Sequence, residues 1–169
     1  GLCYGRALEN EIEDAIQKAT GIPNCTFLEL RKLISKNPRK YKHLWVTVTR
    51  VAHDGTAEIV RLTTEKMDDQ PSWYEDIVIS SAVRASSNLP FVFETCLLKA
   101  KLSEDSAPAE QPQLGQFLDG GMLANLDIEV FDEQRFQTQR GFVGDEGLRH
   151  IMNKRTLGFA LINSKEAEE

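Results

Sequence analysis

Long apolar runs, positive charge and cysteine are all scarce in this sequence of 169 residues. No stretch of the sequence approaches the run of about 18 consecutive apolar residues that a transmembrane helix needs, so such a helix is excluded. Lys and Arg number 20 against 26 Asp and Glu, and the net charge of −6 argues against binding to nucleic acids or to anionic lipid through a basic surface. The three cysteines are widely spaced and form no C-x-x-C pair, which indicates free thiols rather than disulfides or a zinc site.

A motif for a catalytic nucleophile is also missing. The pattern G-x-S-x-G, the strained turn that exposes a reactive serine in many acyl hydrolases, does not occur. Ser86 and Ser87 lack flanking glycines, so we interpret them as packing or capping residues of a helix. None of the three histidines neighbours a Ser or Cys motif, and Cys96 lies in an apolar segment typical of a small buried side chain. The chain therefore offers no nucleophile of its own.

Helices and strands alternate in the predicted secondary structure. Apolar spacing predicts a helix from Arg6 to Ala19 that Gly21 ends, and the capping-box pattern from Thr26 to Glu29 opens a second helix that ends at Asn37. A hairpin follows, with strands at 44–51 and 58–62 around the turn dipeptide Asp54-Gly55. The remaining predicted elements are a helix at 76–88, strands at 95–102, 115–118 and 156–162, a flexible loop at 103–114 and a polar tail at 164–169.

Asp119-Gly120-Gly121 follows the apolar run 116–118, so the carboxylate comes at the end of a predicted strand. A carboxylate in that position can take the proton of a serine hydroxyl as the oxygen attacks an acyl carbon. Two glycines would let the backbone approach closely and adopt strained dihedral angles that fix the carboxylate. On the tripeptide alone, an ordinary turn remains the simpler interpretation.

Three stretches in the same order resemble the second half of a patatin-like phospholipase domain. They are Ala82-Val83-Arg84-Ala85-Ser86-Ser87-Asn88-Leu89-Pro90-Phe91-Val92-Phe93, the segment 116–126 around Asp119-Gly120-Gly121, and Asn153-Lys154-Arg155-Thr156-Leu157-Gly158-Phe159. That family hydrolyses acyl esters of lipids with a Ser-Asp dyad. The resemblance implies that Asp119 is the base, that Gly120, Gly121 and Asn125 support it, and that the serine lies upstream of Gly1.

The resemblance also implies a fold and a setting. We expect residues 1–169 to be the C-terminal part of one α/β domain, a partial patatin-like three-layer fold with a mixed, mostly parallel sheet flanked by helices. The expected substrate is a phospholipid or another acyl lipid, with no metal or organic cofactor. The missing N-terminal part of the domain is the expected partner, and exposed strand edges favour self-association. The parent is expected in the cytoplasm or at a membrane periphery, with secretion as the alternative.

Three departures from the family pattern leave a second function open. Ala124 replaces the first Asn of the family's NNxP stretch, Asp127 replaces its Pro, and Phe91 replaces a usual Gly after Leu-Pro. These positions shape the loops beside the site. The alternative is therefore a non-catalytic module of the same fold that acts as a scaffold or a regulatory partner.

Overall fold

The computed structural model of the chain describes residues 5–52, 54–67, 71–94, 96–101 and 116–124. Within these ranges no helix is long and apolar enough to cross a bilayer. The predicted loop at 103–114, the predicted strand at 156–162, the tail at 164–169 and Asn125 lie outside the described residues.

Helix α1 spans Arg6–Thr20, within one residue of the predicted bounds. Gly5 and Gly21 flank it with φ angles of 64° and 77°, a left-handed conformation that glycine adopts without steric cost. None of its residues is fully buried, and Ile16 packs from the helix against the core. An ion pair between Glu9 and Lys99 ties the helix to segment 96–101.

Helix α2 spans Phe27–Lys36, and its predicted capping box is confirmed. The hydroxyl of Thr26 accepts a hydrogen bond from the backbone N–H of Glu29 at 3.2 Å, and the Glu29 carboxylate accepts one from the N–H of Thr26 at 3.0 Å. Burial alone would raise the pKa of Glu29. Hydrogen bonds from Lys101 and Thr26 outweigh that effect and hold the pKa below its ordinary value of 4.5. The folded state therefore favours the charged carboxylate.

This lowered pKa predicts how Glu29→Gln changes the pH dependence of stability. Gln can still accept from Thr26 but carries no charge for Lys101. A lowered folded-state pKa contributes stability above the unfolded value and loses it as the pH falls through the folded value. The difference in free energy of unfolding between wild type and variant should therefore be largest above about pH 4.5 and vanish in stronger acid. Urea titrations of the full chain at stepped pH measure it, and a constant difference would contradict the assignment.

Three antiparallel strands form the described sheet. Strand β1 spans Trp45–Val51, β2 spans Ala57–Thr63 and β3 spans Gln116–Asp119, in the order β2-β1-β3. The predicted hairpin is confirmed, with Gly55 at φ 83° in the turn between β1 and β2. One face supplies core side chains: Val46, Val48, Val60, Leu62 and Phe117.

The prediction of a mostly parallel sheet is wrong for the described strands. The connection from β1 to β2 is a tight turn, which can join only antiparallel neighbours, and β3 then pairs antiparallel with the other edge of β1. Asp119 does lie at the end of its strand, opposite Val48. Its position is therefore set by the β1–β3 pairing and not by the shared carboxyl edge of parallel strands.

The segment before β3 is less regular than predicted. A 3₁₀ turn covers Ser72–Asp76, and helix α3 covers only Ile79–Ser86, because Ile77 and Val78 are extended and form bridges to Ala100 and Thr26. The helix stops before Pro90, as predicted. The predicted strand at 95–102 appears as isolated bridges at Cys96 and Ala100 within its described part. Small side chains of α3 are buried: Ser80, Ser81, Ala82 and Ala85.

Candidate functional site

Asp119 is the last residue of β3, and its side chain forms a turn with the residues that follow. Its Oδ1 accepts a hydrogen bond from the N–H of Gly121 at 2.8 Å, and a short 3₁₀ turn covers Gly120–Met122. Asp54 makes the same kind of contact, accepting from the N–H of Thr56 at 2.9 Å in the hairpin turn. A side-chain turn of this kind is common for aspartate before glycine. The turn alone therefore does not distinguish a reactive carboxylate.

The backbone of Asp119 is bound from two sides, and this does distinguish it from Asp54. Its N–H donates to the carbonyl oxygen of Asn88 at 3.1 Å, just beyond α3. Its carbonyl oxygen accepts from the hydroxyl of Thr49 in β1 at 2.9 Å. Asn88 and Thr49 are both buried. Two separate elements thus hold the main chain that carries the carboxylate.

The backbone of Gly120 packs closely against strand β1, as the sequence predicts. A Cβ atom at this residue would lie 2.3 Å from the carbonyl oxygen of Thr47, far inside a van der Waals contact. The same carbonyl accepts a hydrogen bond from the hydroxyl of Ser86 at 2.8 Å. The predicted strained dihedrals are not found: the described residues with positive φ are Gly5, Gly21, Gly55, Asn24 and Phe91. Gly120 therefore serves close packing of the turn on β1.

Asp119 is half-buried, and among the described residues its Oδ2 atom has no hydrogen-bond partner. Within the part of the chain that the structure describes, the one hydrogen bond of the carboxylate is the Oδ1 contact with Gly121. The described surroundings place no ion pair on it either. A carboxylate held in this way can accept a proton from a hydroxyl group brought to its other oxygen.

Exposed apolar side chains lie in the two segments that adjoin Asp119. Residue 89 follows Asn88, whose carbonyl binds Asp119, while residue 122 ends the Gly120–Met122 turn and residue 123 follows it. Phe91 is 96% exposed, and the other exposed members of this apolar rim are Leu89, Val92, Met122 and Leu123. The described residues of the rim carry no charge. Such a surface suits an apolar ligand beside the carboxylate.

Phe91 has a backbone conformation that favours glycine. Its φ is 66°, a left-handed conformation that costs a residue with a Cβ about 1–2 kcal/mol. Its ring gains no burial in return. The aromatic side chain is thus held outside the core on a strained backbone.

Replacing Phe91 by Gly should stabilise the chain. Relief of the left-handed strain exceeds the extra backbone entropy of glycine, so we expect a gain of about 0.5–1 kcal/mol in the free energy of unfolding. Asn24→Gly is the matched control, because Asn24 is exposed at φ 50° and asparagine tolerates this region. Urea denaturation of the full chain measures both variants. A loss of stability in Phe91→Gly, or an equal gain in the control, would contradict the expectation.

The other candidate residues have structural contacts. Ser87 donates its hydroxyl to carbonyl oxygens of α3, at 3.2 Å for Val83 and 3.1 Å for Arg84, as a helix-end residue does. Cys96 is buried, as predicted, and desolvation raises the pKa of its thiol above the ordinary value of 9.0, with the charge of Arg84 opposing this only in part. A thiol with a raised pKa is a poor nucleophile at neutral pH.

The structure describes only some of the residues that the predictions about histidines and metal sites concern. His43 lies 3.1 Å from the hydroxyl of Thr64 through its Nδ1 atom, while His53 and His150 lie outside the described ranges. Among the described residues no group of three or more His, Cys, Asp or Glu side chains comes together.

Sequence reasoning missed Asn88, Thr49 and Thr47 as neighbours of the candidate base. Asn88 stands between a predicted helix and Pro90, where it has the pattern of an ordinary helix-end residue. Thr47 and Thr49 have the pattern of ordinary strand residues. Asn88 and Thr49 contact residues of β3 that lie 29 and 70 positions further along the chain, respectively. No local signal in the sequence could have found them.

Comparison with known proteins gives two relatives from one virus. No family model matches the chain, and no solved structure matches it. An uncharacterized protein of Acanthamoeba polyphaga mimivirus is 29% identical over 122 residues, which is 67% of this chain and 31% of the relative. A second uncharacterized protein of the same virus is 28% identical over 138 residues, 82% of this chain and 35% of the relative. The chain thus spans about a third of the length of these curated relatives.

Proposed function

We propose that the chain is part of a serine hydrolase of acyl lipids, the C-terminal part of a patatin-like domain, with Asp119 as the general base. The serine is contributed by polypeptide outside these 169 residues, in which G-x-S-x-G does not occur. The observation that carries the proposal is the attachment of Asp119. Its main chain is bound to Asn88 and Thr49 on two sides, while its carboxylate is bound through Oδ1 alone in the described residues.

The proposed reaction follows from a carboxylate that acts directly on a hydroxyl. The serine Oγ attacks the ester carbonyl carbon as its proton passes to Asp119, and collapse of the tetrahedral intermediate expels the alcohol, which takes that proton. Water then attacks the acyl-enzyme and gives a proton to Asp119. Collapse of the second intermediate releases the fatty acid and returns this proton to the serine oxygen.

Two further observations support this assignment. The apolar rim of Leu89, Phe91, Val92, Met122 and Leu123 beside Asp119 suits fatty acyl chains better than a charged substrate. The matched relatives are about three times as long as the aligned part, which leaves room for a nucleophile segment in a longer protein. The proposal concerns the geometry at Asp119 and does not depend on a parallel sheet.

Labelling with a fluorophosphonate probe tests the proposal on the intact gene product. A fluorophosphonate reacts covalently with an activated serine and leaves unactivated hydroxyls untouched. We expect one labelled serine, located by peptide mapping in a G-x-S-x-G segment outside residues 1–169, and release of fatty acid from phospholipid vesicles. Heat-denatured protein is the control and should not be labelled. A folded protein that neither reacts with the probe nor releases fatty acid would overturn the proposal.

A non-catalytic scaffold of the same fold is the second candidate, and Phe91 favours it. A strained, fully exposed aromatic side chain is the kind of residue that a partner protein would cover. The same labelling experiment separates the two functions. A scaffold remains folded and unlabelled, whereas a hydrolase is labelled at a single serine.

A further inference from the structure

Asn88 makes four hydrogen bonds to described residues from a fully buried position just beyond α3, and its N–H donates to the carbonyl oxygen of Ala85 at 3.1 Å. Its Oδ1 accepts from Nη1 of Arg84 at 3.0 Å, and its Nδ2 donates to the carbonyl oxygen of Phe117 at 3.1 Å. Its own carbonyl oxygen accepts from the N–H of Asp119 at 3.1 Å. Its exposure is 0%. Two of these four bonds reach the strand that ends in the candidate base.

Together with the bridge between Cys96 and Phe117, these two bonds take the place of a neighbouring strand at the end of β3. One edge of β3 pairs with β1, while the N–H and C=O of Phe117 and the N–H of Asp119 bond to Cys96 and Asn88. An edge strand presents such groups in alternation, and they need partners when they are buried. Asn88 supplies a side-chain donor and a main-chain acceptor that match two successive groups. The strand is therefore held on both edges where Asp119 begins.

Arg84 determines which way the amide of Asn88 points. A guanidinium group has only donors, so the side-chain oxygen of Asn88 faces Arg84 and the amide nitrogen faces the carbonyl of Phe117. Arg84 is itself buried, with its Cζ atom 5.5 Å from the centre of the Phe93 ring. A Cβ at Gly5 would lie 2.5 Å from its Nη2 atom, so glycine there leaves room for the guanidinium group. The amide is thereby fixed in one orientation.

We propose that Asn88, oriented by Arg84, is the positioning residue that fixes the main chain from which the Asp119 carboxylate projects. This inference rests on the proposed function, because it concerns the same base. Asn88 does not touch the substrate; it acts through β3. A general base that is displaced by about 1 Å can lower the rate roughly a hundredfold. If β3 were held by β1 alone, Asp119 could shift in this way and turnover would fall.

Asn88→Asp is the direct test in the intact gene product. The variant keeps the acceptor for Arg84 and the main-chain bond to Asp119, but it presents an oxygen to the carbonyl of Phe117 instead of a donor. We expect kcat on an activated aryl ester to fall by about 10- to 100-fold, with KM changed less than about threefold. Asn88→Ala removes the same donor without adding a charge and is the second variant. At least one of the two should retain the wild-type circular dichroism spectrum.

Ser81→Ala is the matched control for a purely structural effect. Ser81 is a buried polar residue of α3 whose hydroxyl accepts from the N–H of Lys99 at 3.0 Å and donates to the carbonyl oxygen of Val78 at 2.8 Å. Ser81→Ala should lower the melting temperature by about as much as the Asn88 variants do. It should leave kcat within about twofold of the wild-type value. If Ser81→Ala lowers kcat as much as the Asn88 variants do, or if folded Asn88 variants keep full kcat, the inference is wrong.

Combining Asn88→Asp with Asp119→Asn separates this inference from the proposed function. A residue that acts through Asp119 has nothing left to position once the base is gone, so the double variant should equal Asp119→Asn in kcat. An equal fold-loss from Asn88→Asp in both backgrounds would overturn the positioning role. Full activity of Asp119→Asn by itself would instead overturn the proposed function.

Discussion

Asp119→Asn is expected to lower kcat of the intact proposed hydrolase by about 10³-fold, because a general base contributes on the order of 10²–10⁴-fold. The amide oxygen can still accept from the N–H of Gly121, so the turn at the end of β3 should persist. KM should change little, since the proton is transferred only as the serine oxygen attacks. Fatty acid release from phospholipid vesicles measures kcat and KM, and thermal unfolding checks that the variant is folded.

Asp54→Asn is the matched control for this variant. Asp54 also precedes a glycine and also accepts from the backbone N–H two residues later, but it is fully exposed in the β1–β2 turn. It should retain wild-type kcat. If Asp119→Asn keeps more than about a tenth of the wild-type turnover, Asp119 is not the base and its contacts are those of an ordinary turn.

Gly120→Ala is expected to lower the free energy of unfolding by about 3 kcal/mol, at the upper end for overpacking a well-packed site. The added Cβ would meet backbone atoms, at 2.3 Å from the oxygen and 2.7 Å from the carbon of the Thr47 carbonyl. Thr47 lies inside β1, opposite Arg61 in β2, and its carbonyl also binds Ser86. Because this carbonyl cannot move alone, the turn at Asp119 should be displaced and turnover should fall as well.

Gly21→Ala distinguishes this steric effect from the general cost of replacing a glycine. Gly21 has φ 77°, and a Cβ there would meet nothing within 4 Å. Its replacement should cost only the left-handed strain, about 1–2 kcal/mol. Urea denaturation of the full chain compares the two. Equal losses would show that the contact between Gly120 and Thr47 contributes nothing.

Neighbouring residues determined the elements that the sequence predicted well. The capping box of Thr26 and Glu29 and the hairpin turn at Asp54-Gly55 depend on side chains and backbone only a few positions apart, so their patterns were sufficient. Pro90 likewise predicted where α3 stops. The start of α3 was misjudged, because bridges to Ala100 and Thr26 hold Ile77 and Val78 in an extended conformation despite their helical spacing.

The sequence by itself determined where the candidate base lies: at the end of a strand, before a position that requires glycine. Only the tertiary structure decided what holds it. The antiparallel pairing of β3 with β1 brings Thr47 and Thr49 to the turn, and the end of α3 brings Asn88 to the other edge. The physical reason is that hydrogen bonds between distant segments depend on strand direction and register, which local patterns leave open.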